Sequence, residues 1–108
     1  MEGMRLIESV IKDSTGKKLS KIEGIITFSE TQQNDWDDGA FLLLRIDSET
    51  CDIFLYEQDK LSANLRVGDR VKCYFEGIPI TNVDLKAYEL INNNKVITRG
   101  IKKGYRFI

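Results

Sequence analysis

The chain contains no histidine. That absence removes the side chain most used as a general base near neutral pH and the commonest metal ligand. Cysteine is scarce: Cys51 and Cys73 are the two present; on separate strands they cannot by themselves build a structural zinc site, and a disulfide scaffold is not indicated. Reduced thiols are the default expectation, and neither a metal nor a cofactor is expected. Proline occurs once, at Pro79. No apolar run approaches the ~20 residues of a membrane-spanning helix. Glu2 and Glu8 interrupt the N-terminal stretch, so no signal-peptide core is expected there. These absences predict an intracellular protein, cytoplasmic or nuclear, without a membrane partner.

Apolar residues make up 42% of 108 residues, enough for one domain with one modest core. The formal net charge of −1 is unevenly spread. Residues 1–22 carry five bases and three acids, residues 23–94 six bases and fourteen acids, and residues 95–108 five bases and no acidic side chain. An acidic body with a basic end suggests an interaction tail, or simply a solvated terminus.

Leu65-Arg66-Val67-Gly68-Asp69 reads as a tight turn, with Gly68 where a positive φ is tolerated and Asp69 placed to bond nearby backbone. Val71, Cys73 and Phe75 then alternate with Arg70, Lys72, Tyr74 and Glu76, the period of a strand with one buried face. Leu19 to Phe28 reads as a strand with Ile22, Gly24, Ile26 and Phe28 on one side, and residues 29–39 as a polar loop. Phe41 to Ile46 and Cys51 to Tyr56 form a hairpin across Asp47-Ser48-Glu49-Thr50. Leu42, Leu44, Ile46, Ile53 and Leu55 are predicted inward; Phe41, Arg45, Phe54 and Tyr56 are predicted outward. Residues 57–64 could hold one or two helical turns. Val83 to Ile91 is the last strand, with Leu85 and Ala87 inward and Lys86 and Tyr88 outward.

At the N-terminus Met4, Ile7 and Ile11 recur at three- and four-residue spacing, predicting a short amphipathic helix over 3–13, with a strand as the competing reading. Ile97, Ile101 and Tyr105 have helix-like spacing in the basic C-terminal tail. The domain plan is therefore an N-terminal helical segment (1–18), a β-barrel (19–91) and a basic tail (92–108).

Five strands in series, with Ile22-Glu23-Gly24-Ile25-Ile26, the run from Gly39 to Asp47, Cys51 to Tyr56, the Gly68-Asp69-Arg70-Val71 turn and Asp84-Leu85-Lys86-Ala87-Tyr88, resemble the oligonucleotide/oligosaccharide-binding (OB) family. The resemblance spans residues 19–91. A departure is Ser48-Glu49-Thr50, which lacks the glycine often found after the residue corresponding to Asp47. The resemblance implies an all-β, small five-stranded Greek-key barrel with a short flanking helix. It also implies a non-catalytic binding role, most simply toward single-stranded DNA or RNA in a setting such as replication, repair or telomere maintenance. The alternative is a small subunit, or an inhibitor, that binds a partner protein of a larger nucleic-acid-handling complex.

On that basis Phe41, Phe54 and Tyr56 are candidate stacking platforms, or else ordinary packing under a terminal segment. Arg45 could meet a phosphate or stack through its guanidinium. Lys72, Tyr74, Lys86 and Tyr88 could extend the surface, and Lys102, Lys103 and Arg106 of the tail could contact phosphates. Trp36, flanked by Asp35, Asp37 and Asp38, suits a protein contact or local packing better than a phosphate; Met4, Ile7 and Ile11 are the other candidate partner-binding residues. Gly16-Lys17-Lys18 lacks the upstream glycine and the following Ser or Thr of a phosphate loop. Asp35, Asp37 and Asp38 are out of register for a calcium loop. No nucleophile sits beside a base in the sequence pattern, so an enzyme is not expected.

Overall fold

The computed structural model describes residues 10–35, 39–56, 61–79 and 81–108. They form nine strands: β1 (Ile11–Asp13), β2 (Ser20–Gln33), β3 (Ala40–Ile46), β4 (Asp52–Tyr56), β5 (Arg70–Phe75), β6 (Asn82–Asp84), β7 (Ala87–Asn92), β8 (Lys95–Ile101) and β9 (Tyr105–Phe107). The described residues contain no helix, and none long and apolar enough to cross a membrane. Seven strands hydrogen-bond in the order β6-β4-β3-β2-β5-β7-β8, and β1 pairs with β9 separately. The outer members β6 and β8 do not pair with each other, so no continuous ladder closes the sheet. Every pairing is antiparallel except β4 with β6.

β2 changes partner along its length: Ser20 to Ile25 pair with β5, and Ile26 to Gln33 pair with β3. The register to β3 shifts between Ile26 and Phe28. An extra residue at such a bulge bends the strand and turns the following side chains to the other face. Phe28, expected to share a face with Ile22 and Ile26, instead lies on the outer face beneath the Arg45 guanidinium. The expected loop over 29–39 is strand as far as Gln33; its polar residues lack the apolar alternation that marks a half-buried strand. The Gly68 turn, at φ 97°, docks where β2 changes partner. The Gly68 amide donates to the Ile26 carbonyl and the Ile26 amide to the Asp69 carbonyl, both at 2.9 Å. Gly24 allows the β3–β4 turn to fold onto β2, since a Cβ there would lie 2.6 Å from Asp47 Oδ1.

The main core contains Ile22, Ile26, Leu44, Ile46, Ile53, Leu55, Val71, Cys73 and Phe75, joined by Leu61 and Leu65. The alternation predicted for β3, β4 and β5 therefore places the core residues as found. Residues 61–64 are not helical; the rest of the expected helical turn, 57–60, lies outside the described residues.

The expected last strand is split into β6 and β7 by Leu85 and Lys86. The Leu85 amide donates to Phe54 O at 2.9 Å and the Lys86 amide to Tyr74 O at 2.8 Å. This irregularity shifts the alternation. Leu85, Tyr88 and Leu90 all reach the main core, whereas Ala87 faces a second cluster. The expected placement of Ala87 inward and Tyr88 outward is thus reversed.

The basic tail is sheet. Asn93 and Asn94, at φ 53° and 61°, make the double positive-φ turn of a tight hairpin that joins β7 to β8. β9 returns to pair with β1, with Ile11 opposite Phe107. The helix expected over 3–13 is therefore replaced by strand at Ile11–Asp13, and its remaining described residue, Val10, is not helical; residues 3–9, with Met4 and Ile7, lie outside the described residues. Ile11, Leu19, Tyr74 and Ala87, packed with Ile101, Tyr105 and Phe107, form the second, smaller core. The β1–β9 ribbon thereby covers the side of β5 and β7 that faces away from the main core.

Candidate functional site

The outer face of β3 and β4 carries the candidate aromatic platform. Register sets Phe41 opposite Tyr56 and Leu43 opposite Phe54. The odd-numbered positions of β3 point outward because Leu42, Leu44 and Ile46 are committed to the core. Phe41, Phe54 and Tyr56 are half-buried, neither covered nor free. Phe41 lies 5.5 Å from Phe54 and 6.0 Å from Tyr56 between ring centroids, and Phe54 and Tyr56 stack at 6.4 Å with 16° between planes. Leu43 is buried on the same face. A groove of about 250 Å³ opens beside Phe41 and Tyr56, floored by Leu42, Leu55 and Leu61.

Arg45 bounds the aromatic face at the end away from this groove. Its Nε donates to Asp52 Oδ1 at 2.8 Å, and its guanidinium lies 5.0 Å from the centroid of the Phe28 ring. The half-exposed guanidinium is thus held in place while part of it stays open to solvent. Phe28 belongs to this site although alternation set it on the same side as Ile22 and Ile26; a mid-strand bulge leaves no reliable mark in the sequence.

At the other side, Asp84 of β6 lies opposite Phe54 in parallel register. Lys86 Nζ is 2.9 Å and Lys102 Nζ 3.9 Å from Asp84 Oδ2. Asp84 Oδ1 is buried and has no hydrogen-bond partner. Burial alone would lower the Lys86 pKa, but its hydrogen bond and charge pairing with Asp84, with Tyr105 and Glu76 adding, hold it above the ordinary lysine value. The surface is consequently mixed in charge: Arg45, Lys86 and Lys102 face Asp52 and Asp84.

Three of the candidate nucleic-acid-binding residues are buried and so are not on this surface. Lys72 and Tyr74 are each 1% exposed and Tyr88 2%. The β1–β9 ribbon covers the side of β5 that Lys72 and Tyr74 occupy, which alternation within β5 could not reveal. Lys72 lies opposite Glu89 in register, and Glu89 is fully buried. Tyr74 Oη donates to Glu89 Oε1 at 2.5 Å, and Arg99 Nε donates to Glu89 Oε2 at 2.7 Å. Phe107 roofs the cluster, with the Arg99 guanidinium 4.8 Å from its ring centroid and the Tyr74 ring edge-on at 6.0 Å. Tyr88 donates to the Ser62 carbonyl at 2.6 Å, and burial raises its pKa. Ile11 is also buried, so it serves the second core and not a partner surface.

Lys103 and Arg106 are exposed and Lys102 half-buried; Lys102 and Lys103 lie between β8 and β9, and Arg106 lies on β9. Trp36, Met4 and Ile7 lie outside the described residues. Burial, with a smaller effect from Cys51, pushes the Cys73 thiol up to about 12, so it is no thiolate nucleophile at neutral pH. Compared with protein-family models, curated proteins and solved structures, the chain has no match in any of the three.

Proposed function

We propose that this chain is a non-catalytic binding module of OB type that holds single-stranded nucleic acid, DNA or RNA, across the face of Phe41, Phe54 and Tyr56. The observation that carries this reading is the aromatic trio itself: three rings within 5.5 to 6.4 Å of one another on an outer sheet face. A half-buried ring on a rigid strand offers a stacking surface without the cost of ordering a loop, and stacking is worth ~1–3 kcal/mol per base.

The connectivity supports the OB reading. Counting β6, Leu85, Lys86 and β7 as one bent strand, the ladders run from β2 through β3, β4, the bent strand and β5 back to β2. The one parallel pairing joins β4 to the bent strand, the third and the last of these five in chain order, as in a five-stranded Greek-key barrel of this type. Because the charges on the face nearly cancel, stacking would supply most of the affinity there, with the Arg45 guanidinium meeting a base plane or a phosphate.

The same pairing of Arg45 with Asp52 and of Lys86 with Asp84 favours a second reading, in which the face receives a protein partner. The two are separated by titrating labelled oligonucleotides at low salt against the native chain and Phe54→Ala. Nucleic-acid binding predicts that Phe54→Ala weakens affinity roughly tenfold, about 1.4 kcal/mol, with the circular dichroism spectrum unchanged. No binding by the native chain, or equal binding by both, would leave the protein-partner reading in possession.

A further inference from the structure

The β1–β9 ribbon has a second face, turned away from the small core. Ile11 and Phe107 face that core opposite each other, so the next register pair, Lys12 and Arg106, points the other way. On the other side of Lys12, Lys18 returns through an isolated antiparallel bridge. The Asp13 amide donates to Lys17 O at 3.0 Å and the Leu19 amide to Ile11 O at 2.9 Å. That pattern makes Lys12 and Lys18 a non-hydrogen-bonded pair, the closer of the two antiparallel kinds. Arg106, Lys12 and Lys18 therefore form a row of three cations across three adjacent segments.

Among the described residues no carboxylate pairs with any of the three. The acid next in sequence, Asp13, is turned into its own loop, where its Oδ1 accepts from Thr15 Oγ1 and from the amides of Thr15 and Lys17. Like charges directly opposite one another weaken a β-ribbon, so the row works against the stability of the element that carries it. An anionic strand laid along it would relieve that repulsion.

We infer that the row of Arg106, Lys12 and Lys18 binds the phosphate backbone of a single-stranded nucleic acid whose bases stack on Phe41, Phe54 and Tyr56. This rests on the proposed function and extends its footprint to the opposite end of the chain's charge distribution. The two surfaces are linked. Asp84, opposite Phe54, is held by Lys86 and Lys102, and the Lys86 ammonium lies 5.9 Å from the centroid of Tyr105, which packs on the core-facing side of the ribbon that carries the row, so the aromatic face borders that ribbon. A nucleic-acid strand is favoured over an acidic protein or lipid surface because the ribbon that carries the unpaired cations borders the face that carries the stacked rings.

The test compares short (about 6-nucleotide) and long (about 20-nucleotide) labelled oligothymidylates on the full chain. The variants are Lys12→Gln/Lys18→Gln/Arg106→Gln and, separately, Phe54→Ala. The triple variant is expected to bind the short strand as the native chain does. It should lose about tenfold on the long one, with the slope of log affinity against log salt reduced by about 2, since each phosphate contact contributes ~0.7 on single strands. Its thermal midpoint should equal or exceed the native one. The single exposed variants Lys18→Gln and Arg106→Gln should each lower the slope by about 0.7, which keeps the test open if the triple variant folds poorly. Native affinity and slope on the long strand, with short-strand binding still sensitive to Phe54→Ala, would overturn the cation row and leave the aromatic site standing. Binding to anionic phospholipid vesicles while both oligonucleotides stay unbound would overturn both.

Discussion

Glu89 shows how differently a single residue reads in sequence and in space. On alternation alone it is one more acid on an acidic body; in the fold it is fully buried and bonded by Tyr74 and Arg99, with Lys72 beside it in register. Removing one member of a buried charged group strands the others, at a cost of about 3–5 kcal/mol. Glu89→Ala should therefore lower the urea midpoint sharply. Glu89→Leu combined with Lys72→Met should recover much of the loss, because apolar replacement of a whole buried pair is often neutral. Chemical denaturation of the three proteins checks this, and equal stability of Glu89→Ala and the native chain would contradict the burial argument. What was legible at this scale was the outward set Phe41, Arg45, Phe54 and Tyr56, because β3 and β4 alternate without interruption. Lys72, Tyr74 and Tyr88 were not. The cover over β5 comes from residues at both ends of the chain, and the Leu85–Lys86 irregularity shifts β7 by one position.

The β7–β8 hairpin carries the same lesson for whole elements. Asn92-Asn93-Asn94 marks a break in the sequence, but two consecutive asparagines are also the residues best able to accept positive φ after glycine. They turn the chain back into β8 instead of releasing it as a tail. Asn94→Val should cost about 1–2 kcal/mol, the penalty for a side-chain-bearing residue forced into the left-handed region, whereas Asn94→Gly should be neutral or stabilising. Thermal unfolding of the two variants decides it, and a harmless valine would mean that the turn does not hold the hairpin. Over residues 10–13 the expected helix failed for a related reason: Ile11 and Val10 fit either period, and pairing with Phe107 across nearly the whole chain selects strand at Ile11.

At the scale of the molecule, burial of titratable side chains makes stability depend on alkaline pH. The Cys73 pKa is raised from 9.0 to about 12 by burial, with a smaller effect from Cys51, so the folded chain keeps a proton that the unfolded chain releases. Its contribution is complete below pH 9 and is lost as pH rises toward 12. Burial raises Tyr88 as well, which adds to the same loss. The thermal midpoint should thus fall through that window, less steeply in Cys73→Ala, and both thiols should react with a thiol reagent only as fast as the chain unfolds. The all-β class and most of the main core could be read from alternation and turns; the second core and the sheet-forming C-terminus could not, because they depend on contacts between distant segments. The central claim remains that bases stack on the outer face of β3 and β4. Mapping amide chemical-shift changes on adding a short oligothymidylate tests it most directly. The prediction is a cluster at Phe28, Phe41 to Arg45 and Asp52 to Tyr56; shifts confined to other surfaces, or none at saturating oligonucleotide, would contradict it.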